Sequence, residues 1–409
     1  MESRDFDRRA SAGHMRDKAP GTDGRGVEIA VVRASMIALA FTMLGSISLP
    51  ISSGVHAQSF RSVGSPTSCV MPAATPIEIA SGLNIPWSAV RVGSEVLVSQ
   101  RGTGEIVAFR LGETPRSVGT VPDVVARGDG GMLGLAVLTE SANVWLYAYH
   151  STISGNRIVR MAYSEGALGE VQPILDGLPG GRGHNGGRIE FGPDGMLYAT
   201  VGETRNPDLS QDPNSLAGKI LRMTPTGGVP TDNPVRGSLV YSLGHRNSQG
   251  LAWDDRGQLW ATDFGDDGWD ELNRVEPGGN YGWPVIEGRG GNPAYIDPVM
   301  QWYTQEMGPS GLAYVDGTFF VAGLTGQRLW SVTIDAAGNP EATAHYAGEF
   351  GRVRHVLEGS DGNLWFLTNG RRGDPGGQVL SVALTRVAAS ECSRASAAGG
   401  RGRVPATVP

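Results

Sequence analysis

The sequence has little of several features that mark common classes of protein. Lysine occurs only twice in 409 residues, at Lys18 and Lys219, and cysteine only twice, at Cys69 and Cys392. Basic residues number 34 against 41 acidic ones, so the net charge of −7 offers no basic excess for binding nucleic acid. The glycines follow no Gly-X-Y period and 40% of the residues are hydrophobic, which excludes collagen-like and disordered chains.

Long hydrophobic runs are also scarce. An apolar run at 34–50 follows Arg25 and Arg33, and it is too short to span a membrane comfortably. Small residues then precede Gln58 and offer a cleavage point. We therefore expect residues 1–57 to be a signal peptide with an upstream extension, the mature protein to be periplasmic or secreted, and no stable membrane insertion. A membrane anchor is the alternative.

The two cysteines lie near opposite ends of the expected mature chain. Disulfides persist in the oxidising compartments outside the cytoplasm. A bridge between Cys69 and Cys392 would tie the two ends together. Two unpaired buried thiols are the alternative, because the sequence does not show whether the two Cα atoms lie within bridging distance.

Glycine, in contrast, is abundant, and part of it belongs to a repeat. A pair of turn residues followed by an apolar or aromatic strand occurs six times, with the strand positions spaced 45 to 62 residues apart. These positions are Val96, Val144, Leu197, Leu259, Phe319 and Leu364. The spacing suits one four-stranded unit per copy, and no amphipathic helical run follows residue 58.

The repeat predicts an all-β fold, a six-bladed β-propeller at residues 77–390. A lead-in at 58–76 precedes it and a flexible tail at 391–409 follows it. In a closed ring of blades the first and last strands must meet, which would give the disulfide a mechanical purpose. A pair of β-sandwiches with similar turns is the alternative.

Propeller geometry brings loops from distant parts of the chain to one central channel. Three segments are dense in polar residues and glycine. They are Gly183-His184-Asn185-Gly186-Gly187-Arg188, Gly244-His245-Arg246-Asn247-Ser248-Gln249-Gly250, and the stretch 265–273 that runs on to Asn280-Tyr281-Gly282-Trp283-Pro284. These segments are the candidates for a functional site.

Together with Gly218-Lys219-Ile220-Leu221-Arg222, these segments resemble, in order, the soluble quinoprotein glucose/sorbosone dehydrogenases. The resemblance extends from about Ile77 to Leu384. It implies a six-bladed propeller that carries pyrroloquinoline quinone (PQQ) and calcium. It further implies an oxidoreductase that oxidises the anomeric hydroxyl of aldose sugars to lactones by hydride transfer to PQQ, with an external electron acceptor.

The resemblance implies that His184 is the base that takes the proton of the anomeric hydroxyl. Imidazole suits that role because its ordinary pKa of about 6.5 lets it accept a proton near neutral pH. Glycines flank His184 closely and leave room for a substrate. An ordinary loop histidine is the alternative, and we expect His245 to be structural, supporting the loop that presents Arg246.

The cofactor contacts follow in the same way. Arg246 aligns with an arginine beside the quinone, and Asn247 would hydrogen-bond the cofactor. Arg352 and Arg354 lie two positions apart on a predicted strand, so we expect both side chains on one face, where they would clamp the carboxylates of the cofactor. A solvated basic face is the alternative.

Substrate and metal contacts complete the implied site. Asp129 takes the position of a substrate-contacting glutamine, with a turn-forming aspartate as the alternative. The catalytic calcium would take backbone carbonyls of Gly265 and Asp266, because calcium prefers oxygen ligands. A second, structural ion would use Glu271 and Tyr281. No EF-hand spacing is present, so a solvated acidic loop is the alternative.

Three positions depart from the pattern of the glucose enzyme. Thr325 occupies a cofactor-binding position that holds lysine in that enzyme, Asp266 replaces proline, and Gly183 replaces the aspartate before the catalytic histidine. Specificity for glucose therefore does not transfer, and the broader aldose assignment is the prediction.

Two other functions are compatible with a propeller. A calcium-dependent sugar lactonase would use a central metal but would have no need of Arg246, Arg352 and Arg354 as a cofactor-binding set. A binding propeller without catalysis would have no need of His184 in an open glycine-rich loop. The two alternatives differ from the dehydrogenase in whether PQQ is required.

Overall fold

The computed structural model describes residues 68–369 and 376–388, which form β-strands joined by turns and loops. Two strands come first, β1 (Ser68–Pro72) and β2 (Ile77–Asn84). Blade A contains β3 (Pro86–Val92), β4 (Glu95–Gln100), β5 (Glu105–Phe109) and β6 (Arg116–Thr120). Blade B contains β7 (Met132–Glu140), β8 (Asn143–Thr152), β9 (Gly155–Ser164), β10 (Ala167–Leu168) and β11 (Gln172–Leu178).

Blade C contains β12 (Ile189–Phe191), β13 (Leu197–Val201), β14 (Lys219–Met223) and β15 (Val240–Leu243), with a 3₁₀ turn at Pro207–Ser210. Blade D contains β16 (Ser248–Trp253), β17 (Leu259–Asp263), β18 (Trp269–Arg274) and β19 (Met300–Tyr303). Blade E contains β20 (Pro309–Val315), β21 (Thr318–Gly323), β22 (Arg328–Ile334) and β23 (Pro340–His345). Blade F contains β24 (Val353–Glu358), β25 (Leu364–Thr368) and β26 (Gly376–Val382), and β27 (Leu384–Ala388) follows it.

The blades close into a ring. The first strands of blades A to F (β3, β7, β12, β16, β20 and β24) contact one another in turn, and β24 contacts β3. The fourth strand of blade F is β2, from the beginning of the described chain, which pairs antiparallel with β26. The prediction of a six-bladed β-propeller is confirmed, and the first strands line its central channel.

The repeat read from the sequence corresponds to one position in the blade. All six predicted strand positions lie in the second strand of a blade, in β4, β8, β13, β17, β21 and β25. The turn before that strand often contains a glycine in the left-handed region, such as Gly195 (φ 75°) or Gly317 (φ 86°), which other residues adopt at a cost. The repeat was visible because the same tight turn begins each second strand.

Apolar packing between blades holds the ring together. Six clusters of buried apolar side chains occur, one between each pair of neighbouring blades. The cluster between blades F and A includes Trp365 and Phe109, whose rings stack with centroids 6.3 Å apart. Burial of this surface is the main favourable term for the fold. No helix of the described residues is both long and apolar enough to cross a membrane.

A second strand pair joins the two ends of the described chain. β1 pairs antiparallel with β27, with Cys69 opposite Val387. The expected lead-in at 58–76 therefore contains a strand of its own. Cys392 lies outside the described residues, so the Cys69–Cys392 disulfide stays a prediction, although β1 and β27 bring Cys69 close in space to the segment that leads to Cys392.

We expect peptide mapping of exported, unreduced protein to recover the Cys69 and Cys392 peptides as a linked pair. The pairing of β1 with β27 places Cys69 opposite Val387, and Cys392 follows Val387 by five positions in the sequence. Recovery of both peptides singly after thiol alkylation of the native protein would contradict the prediction. Reduction of the same sample is the control, and it should release the two peptides.

Candidate active site

The site lies at one end of the channel, where the loops before β12, β16 and β24 meet the ends of β13 and β17. His184 is 9% exposed and adopts a left-handed backbone (φ 54°), which is uncommon outside glycine. Its Nδ1 contacts Oε1 of Glu203, a carboxylate that is only 1% exposed. This buried pair fixes the orientation of the imidazole ring.

The loop that carries His184 is held on both sides. The Asn185 side chain accepts a hydrogen bond from the backbone N–H of Gly181 (2.9 Å) and donates one to the Gly181 carbonyl (2.9 Å). The His184 carbonyl accepts from Thr204 N–H (3.1 Å) and lies against Gly202, where a Cβ atom would clash with it. The sequence Gly202-Glu203 is therefore required for the close approach that places the carboxylate on His184.

His245 has a structural role, as expected. Its Nδ1 bonds Oδ2 of Asp263 (3.1 Å), its Nε2 bonds Ser242 Oγ (2.8 Å), and its ring stacks on Tyr281 with centroids 4.7 Å apart. Asp263 also accepts the backbone N–H groups of Arg246 (3.2 Å) and Asn247 (2.7 Å). The loop that presents Arg246 is thus fixed by one carboxylate and one imidazole.

A buried lysine supports the same loop from behind. The Lys219 ammonium donates to the carbonyls of Leu209 (2.8 Å), Ser210 (3.0 Å) and Ala217 (2.8 Å), and burial lowers the pKa of Lys219 to about 8. Ser210 Oγ in turn donates to the His245 carbonyl (2.8 Å). Lys219 thereby organises the chain segment on which the 244–247 loop rests.

Arg246 and Asn247 extend from this loop in different ways. The Arg246 guanidinium forms an ion pair with Asp266 and lies over the Trp283 ring, 5.3 Å from its centroid. The Asn247 side-chain oxygen accepts the Gly186 N–H (3.0 Å), which ties the loop to the His184 segment. Asn247 therefore joins two site loops in addition to its predicted role toward a cofactor.

Arg354 lies at the channel, 7% exposed. Its Nη1 donates to Gln249 Oε1 (2.9 Å) and Ser310 Oγ (3.3 Å), while its buried Nε has no partner among the residues described. Burial and the positive charges of Arg352, Arg101 and Arg188 hold the pKa of Arg354 well below its usual range. The guanidinium has neutral hydrogen-bond partners and cationic neighbours.

Arg352 lies one residue before β24, and the pairing of that strand is irregular between Val353 and His355. The regular alternation of side chains along a strand, from which Arg352 and Arg354 were expected on one face, therefore does not apply here. Arg352 is partly exposed whereas Arg354 is buried. The two are nevertheless close enough to interact electrostatically.

Arg188 and Trp87, to which the sequence analysis gave no role, complete the arginine cluster. Arg188 is 2% exposed, and it donates to the Gln249 carbonyl (2.8 Å) and to Ser88 Oγ (2.9 Å). The guanidinium carbons of Arg188 and Arg354 lie over the Trp87 ring, 4.4 and 5.8 Å from its centroid. Burial lowers the pKa of Arg188 to about 10. These side chains join blades A, C, D, E and F across the channel.

Asp129 lies at the rim of this cluster. It is exposed, and its backbone N–H donates to the Arg182 carbonyl (3.0 Å) in the segment just before His184. Burial lowers the pKa of both Arg101 and Arg354, and the negative charge of Asp129 opposes that lowering. Asp129 therefore lies near both guanidinium groups. Asp129 is therefore in the same neighbourhood as His184 and the arginines.

The loop that contains Gly265 and Asp266 is organised by carboxylates. Gly265 N–H donates to Asp270 Oδ1 (2.9 Å), and a single Glu287 oxygen accepts the N–H groups of Asp266 (2.7 Å), Gly268 (3.1 Å) and Trp269 (3.0 Å). Glu287 was not singled out from the sequence, where it follows the Asn-Tyr-Gly-Trp-Pro segment. The structure places this loop beside Arg246 through the ion pair with Asp266.

Glu271 and Tyr281 have separate partners. The Glu271 carboxylate is 8% exposed and accepts Asn273 Nδ2 (2.9 Å) and Gly288 N–H (2.8 Å); burial raises its pKa to about 8. The Tyr281 hydroxyl donates to the Arg274 carbonyl (2.7 Å) and accepts Glu276 N–H (2.8 Å). Across residues 68–369 and 376–388, no group of three His, Cys, Asp or Glu side chains is arranged to hold a metal.

Thr325 lies in the β21–β22 loop and is exposed. Its backbone N–H donates to the Met307 carbonyl (3.1 Å), and its Oγ1 lies against Gly308. Gly308 N–H donates to Asp270 (2.6 Å), the carboxylate that also holds Gly265. Thr325 is thus linked through Gly308 and Asp270 to the loop of Gly265 and Asp266, the candidate calcium site.

Known proteins resemble this chain over most of its length. Residues 83–380 match the model of the family described as Glucose / Sorbosone dehydrogenase. A PQQ-bound aldose sugar dehydrogenase from Streptomyces coelicolor is 44% identical, with 78% of this chain and 99% of that chain covered and a TM-score of 0.72.

Two curated relatives have names of the same kind. Quinoprotein glucose dehydrogenase B from Acinetobacter calcoaceticus is 31% identical over 51% of this chain and 52% of its own length. Aldose sugar dehydrogenase YliI from Escherichia coli is 26% identical over 80% and 99%. Since the family model matches well over half of the sequence, the chain belongs to the glucose/sorbosone dehydrogenase family.

Proposed function

We propose that this protein is a quinoprotein oxidoreductase that oxidises the anomeric hydroxyl of aldose sugars to the lactone, with PQQ as cofactor. The observation that carries the proposal is the His184–Glu203 pair together with the buried guanidinium groups of Arg354 and Arg188, which form no ion pair with a carboxylate among the described residues. The relatives named for PQQ and aldose sugars support the same conclusion.

The arginine cluster fits an anionic cofactor. A buried charge is costly unless it is paired, and Arg354 and Arg188 have hydrogen bonds only to neutral groups. Each has a buried nitrogen without a partner among the described residues, Nε of Arg354 and Nη2 of Arg188. PQQ is a tricarboxylate. Arg352 and Arg354 would hold its carboxylates, with Arg246 and Asn247 contributing from the neighbouring loop.

His184 acts on the substrate proton. An ionised Glu203 only accepts hydrogen bonds, so the contact at Nδ1 places the ring proton there and leaves the lone pair on Nε2. Nε2 then takes the proton of the anomeric hydroxyl, and Glu203 stabilises the imidazolium that forms. When bound, PQQ supplies the two-electron acceptor for the anomeric hydride. Arg246 provides a fixed positive charge on the same side of the site.

Calcium binding at Gly265 and Asp266 is part of the proposal. Backbone carbonyls and the Asp266 carboxylate are oxygen donors of the kind calcium prefers. The bonds from Gly265 to Asp270 and from Asp266 to Glu287 fix the backbone of this loop. A second ion at Glu271 and Tyr281 stays a prediction, as does the sugar contact of Asp129.

Export completes the proposal. Residues 1–57 would be removed as a signal peptide, and the mature enzyme would act in the periplasm or outside the cell and pass electrons to an external acceptor. A lactonase or a binding propeller would not account for the buried nitrogen atoms of Arg188 and Arg354 that have no hydrogen-bond partner among the described residues. A dehydrogenase is therefore the function that accounts for both the His184–Glu203 pair and the buried arginines.

The test is reconstitution of purified apo-protein. With PQQ and calcium added, we expect absorbance of the bound quinone and dye reduction that depends on an aldose. Lactone hydrolysis without PQQ would instead identify a lactonase, and neither activity would identify a binding module. Replacing calcium with a chelator in the same assay tests the metal separately.

We expect Thr325→Lys to tighten PQQ binding. Thr325 is exposed and lies next to the calcium-candidate loop, so a lysine there can add a cation at the cofactor position without displacing a buried side chain. A charge-assisted contact would lower the Kd for PQQ by about tenfold, measured by titration. Thr325→Met, of similar length without charge, is the control; equal affinity of the two variants would contradict the prediction.

A further inference from the structure

One cation of the site has no assigned role in the chemistry described above. Arg205 lies two residues after Glu203, on the loop that orients the base. It is exposed, and both Arg205 (φ 64°) and its neighbour Thr204 (φ 57°) adopt left-handed backbone conformations. Backbone strain of this kind concentrates at functional sites, where the surrounding structure maintains it.

The Arg205 side chain reaches back to the residue before the base. A Cβ atom built on Gly183 would meet Arg205 Nε at 2.5 Å and Nη2 at 2.9 Å. The loops that carry the two residues are bonded directly, because Thr204 N–H donates to the His184 carbonyl (3.1 Å). The guanidinium therefore occupies the space that a side chain at position 183, the residue before His184, would fill.

Four carboxylates of the site described above already have partners. Glu203 is bound to His184, Asp266 to Arg246, and Asp263 to His245. Asp129 interacts electrostatically with Arg101 and Arg354. Among the described residues, no carboxylate forms an ion pair with Arg205. Since Arg352 and Arg354 are assigned to the cofactor, Arg205 is a cation beside the residue before the base that is available to an anionic group of the substrate.

We infer that Arg205 is a specificity-determining residue that selects aldoses carrying an anionic group away from the anomeric carbon. The inference rests on the proposed function, because it concerns which sugar reaches His184. The chemical step is unchanged: the anomeric hydroxyl proton goes to His184, the anomeric hydride goes to PQQ, and the C–O bond becomes the lactone carbonyl. A carboxylate or a phosphate would pair with the planar guanidinium in the same way.

The test compares anionic and neutral sugars on the reconstituted enzyme. Glucuronate and galacturonate probe a carboxylate, glucose 6-phosphate probes a phosphate, and glucose and galactose are the neutral counterparts. We expect kcat/KM for at least one anionic sugar to exceed that of its neutral counterpart by about tenfold or more, mostly through KM. Preference for the carboxylate or for the phosphate would identify the group that Arg205 binds.

Substitutions at Arg205 and Gly183 test whether Arg205 causes that preference. Arg205→Gln should lower the ratio of anionic to neutral kcat/KM by about 10- to 100-fold, the range for loss of a charge-assisted hydrogen bond. Arg205→Lys should restore part of the ratio. Gly183→Asp should abolish the preference as well, because the new carboxylate would pair with Arg205; Gly183 does not adopt a left-handed backbone, so the backbone tolerates it.

Arg127→Gln is the matched control, since Arg127 is another exposed arginine near Asp129 and its loss changes the net charge equally. A similar fall in the ratio for Arg127→Gln and Arg205→Gln would overturn the inference, because the preference would then arise from the summed positive charge of the region and not from Arg205. A wild-type enzyme with no anionic preference would also overturn it. If wild type binds no PQQ and oxidises no sugar, the proposed function fails instead.

A readout without the cofactor tests binding alone. The anionic sugar that the wild type prefers in the kinetic assay should raise the Tm of wild-type apo-protein more than its neutral counterpart does, and the difference should disappear in Arg205→Gln. An equal shift for both sugars in wild type would contradict the inference even if the kinetic preference is present, because the selection would then arise elsewhere.

Discussion

Replacing His184 with alanine is expected to lower sugar oxidation by about 10²- to 10⁴-fold, the usual contribution of a general base, while PQQ affinity stays within a few-fold of wild type. The separation is expected because His184 and Glu203 are assigned to the substrate proton, whereas the cofactor candidates belong to other loops. Steady-state dye reduction and PQQ titration on the same preparation measure the two effects.

Two further variants sharpen this experiment. Glu203→Gln keeps the size of the side chain but no longer stabilises the imidazolium, so we expect a substantial loss of turnover, smaller than that of His184→Ala. His345→Gln is the control, because His345 lies in β23 and bonds Ser331 Oγ (2.8 Å) far from the site loops. Near-normal turnover of His184→Ala would remove the base from the mechanism.

Replacing Arg354 with glutamine is expected to raise the Kd for PQQ by about 10- to 100-fold. Loss of a hydrogen bond to a charged group costs about 1.5–3 kcal/mol. Hydrogen bonds to Gln249 and Ser310 orient Arg354, which forms no ion pair with a carboxylate among the described residues. Fluorescence titration of apo-protein with PQQ measures the change, and kcat at saturating PQQ should fall less than the affinity.

The matched control for this variant is Arg91→Gln. Arg91 donates to the carbonyls of Glu358 (3.4 Å) and Gly359 (3.0 Å) at the ends of β3 and β24 away from the site. Arg91→Gln should leave the Kd for PQQ unchanged. If Arg354→Gln binds PQQ as tightly as wild type, the buried cluster serves the propeller alone and the cofactor is held elsewhere.

The fold was predictable because each blade repeats one local signal. A tight turn followed by an apolar strand requires turn residues at fixed positions, so the six second strands could be counted from the sequence. β1 and β27 could not be found in this way. Each is five residues long, and they form a sheet only by pairing with each other across the whole chain.

The site was predictable where a residue belongs to a recognisable segment and less so where its role depends on a partner. His184 and Arg246 lie in polar, glycine-rich loops that the sequence displays. Glu203 lies two residues after the end of β13. The antiparallel pairing of β12 with β13 brings the end of β13 back to the start of β12, so the topology was a usable signal for Glu203. Arg188 appeared in a quoted segment, but its reach across the channel to Ser88 depends on the closed ring.

The near absence of lysine and the burial of Lys219 have a practical consequence for chemical labelling. Lys219 is fully buried, and Lys18 falls within the expected signal peptide. Amine-reactive esters should therefore label the folded mature protein only at its amino terminus. Unfolding would expose one more amine, so the appearance of a second label in intact-mass spectra would count unfolded molecules directly. For the same reason, attachment to an electrode would need chemistry directed at carboxylates or arginines.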